Sequence, residues 1–103
     1  MKTSIQHFKD LRVYQEACDL DELIFKETKR WPREEKYALI DQIRRSSRAI
    51  GANLAEAWVK RRYEAHFVSK LTDADGKLQE TEHWVWRAMK YGYLSTEKIL
   101  GTE

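Results

Sequence analysis

The sequence has few of the residues that interrupt regular structure or cross-link a fold. Its 103 residues include one cysteine, one proline and four glycines. The single cysteine, Cys18, excludes a disulfide within the chain and is typical of a protein from a reducing compartment. The scarcity of proline and glycine argues against a meander of short strands, which needs many turns, and favours helices.

Long apolar runs are also absent. No stretch approaches the length of a membrane-spanning helix, and the first ten residues, MKTSIQHFKD, lack the apolar core of a signal peptide. We therefore expect a cytoplasmic protein with no membrane partner. A length of 103 residues fits a single domain, which we place at residues 1–103.

Charge is abundant but unevenly distributed. The formal net charge is +2, whereas the segment from Lys29 to Arg62 contains ten Lys or Arg against four Asp or Glu. The segments on either side of it are each net acidic. A basic middle in a nearly neutral chain indicates an anionic partner such as nucleic acid, or else a solvated helix surface.

Three long helices are predicted from apolar residues that recur every three or four positions. The first is expected from about Phe8 to Arg30 and the second from about Arg33 to Lys60, with Pro32 at the corner between them. The third is expected from about Phe67 to Tyr91. The positions expected in the core of the first and third helices are Leu11, Tyr14, Cys18, Phe25, Thr28, Phe67, Leu71, Ala74, Leu78, Thr81, Val85 and Ala88.

No glycine or proline separates the second and third helices, but their apolar stripes differ in phase by roughly 115° if one continuous helix is assumed. We therefore predict a turn near residues 59–63. Gly92 is expected to end the third helix, and Ser95 to cap a short fourth helix from Thr96 to Leu100. The predicted fold is an all-α, antiparallel up-down four-helix bundle with three long helices and a short C-terminal helix.

The segment from Leu39 to Trp58 has three faces at helical spacing, because a polar row of small and amide residues lies between an apolar stripe and an arginine side. We expect such a helix to touch two different partners. The stripe contains Ile40, Ile43, Ser47, Ile50, Leu54, Ala57 and Trp58, the polar row contains Gln42, Ser46, Ala49, Asn53 and Glu56, and the arginines are Arg44, Arg45 and Arg48.

Several blocks of the sequence together resemble a known family. The blocks are Trp31-Pro32, QIRR at residues 42–45, NLAE at residues 53–56 and Gly92-Tyr93-Leu94. They are similar to the bacterial four-helix-bundle family named after the 23S rRNA intervening-sequence protein, and the similarity covers nearly the whole chain. The sequence departs from the family at Ala57 and Lys77, where the family has glycine and serine, which indicates a divergent subgroup.

The resemblance implies a ring-shaped homopentamer of small bundles with no enzymatic activity. Some members of the family are encoded inside insertions of large-subunit rRNA genes. A more distant relative is a nucleic-acid-binding accessory subunit of reverse transcriptases in diversity-generating retroelements. We therefore expect this chain to associate with itself, with RNA or a reverse-transcriptase-like protein as a further partner.

The arginines of the second helix and the basic run after it are candidate nucleic-acid contacts. A guanidinium offers a planar fork that matches phosphate oxygens, and clustered cations gain from counterion release. The alternatives are a solvated face and, for Arg45, an ion pair with Asp41 or Glu56. The candidates are Arg44, Arg45, Arg48, Lys60, Arg61 and Arg62.

Two further rows of residues are candidates for an oligomer interface or a polar packing seam. The polar row of the second helix fits an inner hydrogen-bond network, a subunit contact or a ligand groove. A row on the third helix recurs every seven residues, and its aromatic members favour a subunit interface over base stacking. The candidates are Gln42, Ser46, Asn53 and Glu56 in the second helix, and Lys70, Lys77, Trp84 and Tyr91 in the third.

Catalytic and metal sites find no support in the sequence. His7, His66 and His83 do not have metal-ligand spacing, and Cys18 has no histidine close to it in sequence. There is no glycine-rich phosphate loop and no nucleophile elbow. We expect a non-catalytic protein without metal or cofactor that presents basic surface to RNA or another nucleic acid. The alternative is a homo-oligomeric scaffold or accessory subunit that binds a protein partner.

Overall fold

The computed structural model describes residues 4–94 and contains three α-helices in that range. Helix α1 is Arg12–Thr28, α2 is Leu39–Val59 and α3 is Glu64–Lys90. Short 3-10 turns precede α1 and α2 at Phe8–Asp10 and Arg33–Glu35. Residues 4–94 contain no strand, so this part of the chain is all-α, as the sequence predicts. The predicted fourth helix lies outside the described residues.

Helices α1 and α2 each begin later than the apolar periodicity predicts. The first predicted helix is interrupted at Leu11, whose backbone is extended with φ −76° and ψ 127°. The second is interrupted at Ala38, and the Leu39 N–H then donates to the Glu35 carboxylate at 3.3 Å. The same carboxylate accepts the hydroxyl of Tyr93, 58 positions away, at 2.8 Å. The interruption at Ala38 is therefore supported by a long-range contact, which the local periodicity of the sequence cannot reveal.

The predicted turn and the predicted end of the third helix are both confirmed. Residues 60–63 connect α2 to α3 without a helix between them. Gly92 follows α3 with a φ of +84°, a conformation that residues with a Cβ rarely adopt. The Tyr93 N–H then bonds the Ala88 carbonyl at 2.9 Å, which completes a Schellman-type cap.

Helix α2 is the central element, because it packs against both α1 and α3 while those two hardly touch each other. Its apolar stripe is buried as predicted, except for Trp58, which is half-buried. Two apolar clusters form the core, and the buried hydroxyls of Ser46 and Ser47 lie between them along α2. The clusters contain Ile24, Trp31, Leu39, Ile40, Ile43 and Ala88, and Ala17, Ile50, Leu54 and Ala74.

Three positions predicted in the core are exposed instead. Leu71 and Leu78 are 39% and 40% exposed, and Leu78 lines an apolar groove that α1 and α3 leave between them over α2. Phe25 is 37% exposed and lies beneath cationic side chains rather than in the core. No helix within residues 4–94 is long and apolar enough to cross a membrane.

Candidate functional site

The arginine side of α2 divides into two environments. Arg44 and Arg48 turn towards α1, where both guanidinium groups lie over the ring of Phe25. Arg45 turns away, and its side chain is 76% exposed. Its Nη1 atom is 4.0 Å from an Asp41 carboxylate oxygen, the ion pair that the sequence offered as an alternative for this residue.

Three cations surround one aromatic ring at the α1–α2 contact. The distances to the centroid of Phe25 are 4.5 Å from Lys29 Nζ, 4.8 Å from Arg44 Cζ and 5.8 Å from Arg48 Cζ. No carboxylate within residues 4–94 lies within salt-bridge distance of any of the three. We call Phe25, Lys29, Arg44 and Arg48 the Phe25 cation cluster.

Hydrogen bonds to α1 hold Arg44 in place. Its Nε donates to the Thr28 hydroxyl at 2.8 Å, and its Nη2 donates to the Phe25 carbonyl at 3.4 Å. The buried Thr28 hydroxyl in turn donates to the Ile24 carbonyl at 2.8 Å. Because the guanidinium is already oriented, little side-chain entropy remains to be lost when it meets an anion.

Asp21 of α1 interacts electrostatically with Arg48. Burial raises the pKa of Asp21 above its ordinary value, and the Arg48 guanidinium acts in the opposite direction. The two charges attract, although no salt bridge joins them. Asp21 therefore places a limit on how strongly the Phe25 cation cluster attracts anions.

The second group of basic candidates occupies the α2–α3 turn. The Arg61 guanidinium stacks on Trp58, with Cζ 3.9 Å from the ring centroid, and its Nη1 donates to the Trp58 carbonyl at 2.7 Å. Arg62 is exposed and Lys60 is half-buried. Lys60 follows Arg48 by twelve positions, which corresponds to roughly 18 Å along the helix axis. The turn residues Lys60, Arg61 and Arg62 are thus separate from Arg44 and Arg48, and Arg45 belongs to neither group.

The polar row of α2 lies along the contact with α3. The buried hydroxyls of Ser46 and Thr81 share a hydrogen bond of 2.8 Å. Asn53 is satisfied within its own helix, since its amide donates to the Ala49 carbonyl at 3.0 Å. Glu56 forms an ion pair with Lys70 at 2.9 Å. That bond holds the pKa of Glu56 below its ordinary value and raises the pKa of Lys70.

The seven-residue row of α3 also borders α2, but its lysines are already paired. Lys77 Nζ lies 3.2 Å from the Glu80 carboxylate, which accepts the Trp84 indole N–H at 3.3 Å on its other oxygen. These two bonds, with Lys77 the larger cause, hold the pKa of Glu80 below its ordinary value. Lys70 and Lys77 are therefore poorer phosphate contacts than their spacing suggests.

The structure also gives contacts to residues that the sequence did not predict as functional. Phe25 and Lys29 belong to the Phe25 cation cluster, and their four-residue spacing on α1 is the signal that could have linked them. Arg87 stacks on Tyr91 at the end of α3, with Cζ 5.1 Å from the ring centroid. Within residues 4–94, no group of three or more His, Cys, Asp or Glu side chains could hold a metal ion.

Comparisons with known proteins bear on the family of this chain. Among curated proteins, none matches the chain. The family model of the 23S rRNA-intervening sequence protein matches residues 9–102. That range includes all three helices and both groups of basic residues. The chain therefore belongs to the family of 23S rRNA-intervening sequence proteins.

Proposed function

We propose that this protein is a non-catalytic, homo-oligomeric four-helix bundle that binds RNA or another structured nucleic acid through the Phe25 cation cluster. The observation that carries the proposal is the convergence of Lys29, Arg44 and Arg48 on one ring, with no salt bridge to any of them from residues 4–94. Cations held together in this way repel one another. A phosphate backbone that bridges them relieves the repulsion and releases counterions.

The contacts between α2 and α3 support the antiparallel bundle. Ile43 and Ala88 share one apolar cluster, and Ile50 and Ala74 share the other. Residue numbers therefore rise along α2 as they fall along α3. An apolar groove lies between α1 and α3, over α2.

Exposed apolar side chains support self-association. Val13 and Leu23 of α1 are 53% and 50% exposed, and Leu78 faces the same groove. In a homopentamer, each basic cluster would be present five times, so weak phosphate contacts would add through avidity. Light scattering at micromolar concentration should give five times the chain mass of 12.3 kDa. A mass of one chain at that concentration would contradict the assembly.

Salt-dependent binding to a fluorescein-labelled RNA hairpin tests the nucleic-acid function. Three phosphate contacts would lower the affinity about 40-fold between about 50 mM and 200 mM salt. Replacing Arg48 with Gln should weaken binding and reduce the salt slope by about one. Arg12→Gln is the matched control, because Arg12 lies on α1 outside the cluster and its side chain is 90% exposed. Absence of binding at low salt would refute the proposal.

A protein-binding scaffold or accessory subunit is the second candidate function. The exposed apolar side chains near the groove favour it, since contiguous apolar surface marks protein contacts. Recovery of one stoichiometric protein partner, unaffected by Arg48→Gln and diminished by Leu23→Ser, would support this function instead. Its basic residues would then serve only solubility.

A further inference from the structure

An open groove of about 530 Å³ lies where α2 begins and α3 ends. Gln42 lines it from α2, and Trp84, Arg87 and Tyr91 line it from α3. This groove is separate from the Phe25 cation cluster, which lies between α1 and α2. Two of its aromatic faces, its guanidinium and its side-chain amide are groups that proteins use to hold an exposed nucleobase. The His83 ring and the Glu35 carboxylate also line the groove, and that carboxylate already accepts hydrogen bonds from the Leu39 N–H and the Tyr93 hydroxyl.

The Trp84 ring is fixed before any ligand arrives. Its indole N–H donates to Glu80 at 3.3 Å, and the ring packs against the apolar cluster that contains Ile43. The His83 ring meets it edge-on, with 4.7 Å between the centroids. A half-buried indole held in this way offers a stacking surface at little cost in side-chain entropy.

The other groups of the groove keep their binding capacity. Tyr91 is 53% exposed, and the Arg87 guanidinium lies over its ring. No carboxylate within residues 4–94 lies within salt-bridge distance of Arg87. The Gln42 side chain projects from the opposite wall, where its amide offers both a donor and an acceptor.

We propose that this groove binds an unstacked nucleobase of single-stranded RNA. The base stacks on Trp84 or Tyr91, the Gln42 amide meets the polar edge of the base, and Arg87 contacts an adjacent phosphate. Duplex RNA keeps its bases stacked and cannot supply one, so the groove distinguishes single strands from duplexes. The inference rests on the proposed function, because it adds a second site for the same class of ligand.

The same helix provides a matched control. Lys90 Nζ lies 4.7 Å from the ring centroid of Trp86, which is 51% exposed. Trp86 matches Tyr91 in exposure, and Lys90, although more exposed than Arg87, also places a cation over an aromatic ring; neither residue lines the groove. Trp86→Ala and Lys90→Gln therefore remove equivalent groups and leave the groove intact.

The test compares a labelled unstructured RNA oligonucleotide with a blunt RNA duplex, using Tyr91→Ala, Arg87→Gln and the two control variants. Tyr91→Ala should weaken single-strand binding between about 5-fold and 100-fold, as expected for one stacked base. Arg87→Gln should reduce the salt slope of single-strand binding by about 0.7. Both should leave duplex affinity unchanged, and the control variants should alter either affinity by no more than about twofold. Light scattering on each variant should give the unmodified oligomer mass.

The outcomes separate this inference from the proposed function. Equal effects of Tyr91→Ala and Trp86→Ala on single-strand binding would overturn the proposal that the groove binds a base. This holds even if Arg48→Gln weakens hairpin binding as expected. A changed oligomer mass in Tyr91→Ala would also overturn it, because Tyr91 would then belong to a subunit interface. If Arg48→Gln has no effect but the groove variants lose single-strand binding selectively, base binding in the groove is supported. Nucleic-acid binding by the Phe25 cation cluster is then contradicted.

Discussion

The hydrogen bond between Ser46 and Thr81 should couple α2 to α3 through a measurable energy. The two hydroxyl oxygens are 2.8 Å apart, and both residues are about 2% exposed. Thr81 also donates to the Lys77 carbonyl at 2.8 Å, so Ser46 supplies the proton of the bond between the helices. Ser46→Ala and Thr81→Val each remove that bond and nearly preserve volume.

The expected magnitude follows from what each variant leaves behind. After Ser46→Ala, the Thr81 hydroxyl still donates to the Lys77 carbonyl, and its oxygen loses only the hydrogen bond that it accepted from Ser46. After Thr81→Val, the Ser46 hydroxyl can still donate to the Ile43 carbonyl at 3.3 Å. Neither variant leaves an unsatisfied buried donor, so each should lower the free energy of unfolding by about 1 kcal/mol. The double variant should cost less than the sum by about 0.5–1.5 kcal/mol.

Urea unfolding at a fixed chain concentration measures these differences. A change of about 1 kcal/mol should move the unfolding midpoint by about 0.3–1 M urea in a chain of this size. Ser47→Ala is the control, because the Ser47 hydroxyl is buried but bonds only the Arg44 carbonyl of its own helix, at 3.2 Å. Equal coupling of Thr81 to Ser46 and to Ser47, or none to either, would refute the reasoning.

Three further predictions concern the core, an ion pair and the end of α3. Ile43→Ala should lower the free energy of unfolding by about 2–5 kcal/mol, because Ile43 is fully buried, whereas Val68→Ala at a 51% exposed site should change it little in the same urea assay. The lowered pKa of Glu56 adds stability above the ordinary value of 4.5, and that stability should be lost as pH falls through the lower folded pKa. Lys70→Gln should reduce this acid dependence in unfolding curves between about pH 3 and 6, and an unchanged dependence would contradict the ion pair. Gly92→Ala should cost about 1 kcal/mol because of the positive φ, and a gain in thermal stability would exclude that conformation.

Under the proposed function, the two candidate sites should contribute to nucleic-acid binding in different, measurable ways. The Phe25 cation cluster offers charge without base recognition, so its contribution should depend strongly on salt and little on sequence. The groove at Trp84 and Tyr91 offers stacking, so its contribution should depend on whether bases are unpaired. Measuring both dependences on the same variants distinguishes a backbone contact from a base contact.

Much of the fold was predictable from sequence because local rules decide it. The apolar period placed the core stripe of α2, and the change of phase after it required the turn at residues 60–63. The end of α3 at Gly92 was predictable because the backbone freedom of glycine is a property of that residue alone. The prediction that Leu78 lies in the core was wrong, because its exposure depends on how far α1 and α3 lie apart over α2.

The candidate sites were predictable only in part. The sequence singled out Arg44 and Arg48 by type and spacing, but it could not show that both turn towards Phe25. It grouped Lys77 with Trp84 by their seven-residue spacing, whereas the structure satisfies both with the carboxylate of Glu80. Pairing of this kind depends on side-chain direction and on distances of a few ångströms, which spacing does not specify.

The sequence by itself determined an all-α chain, the order of its three described helices and its family, because periodicity, turn residues and motif spacing are local properties. The tertiary structure alone decided which cations have no salt bridge within residues 4–94, why α2 begins after Ala38, and where aromatic faces remain open. These features arise where residues far apart in sequence meet. Tyr93 with Glu35 and Arg44 with Thr28 are two such meetings.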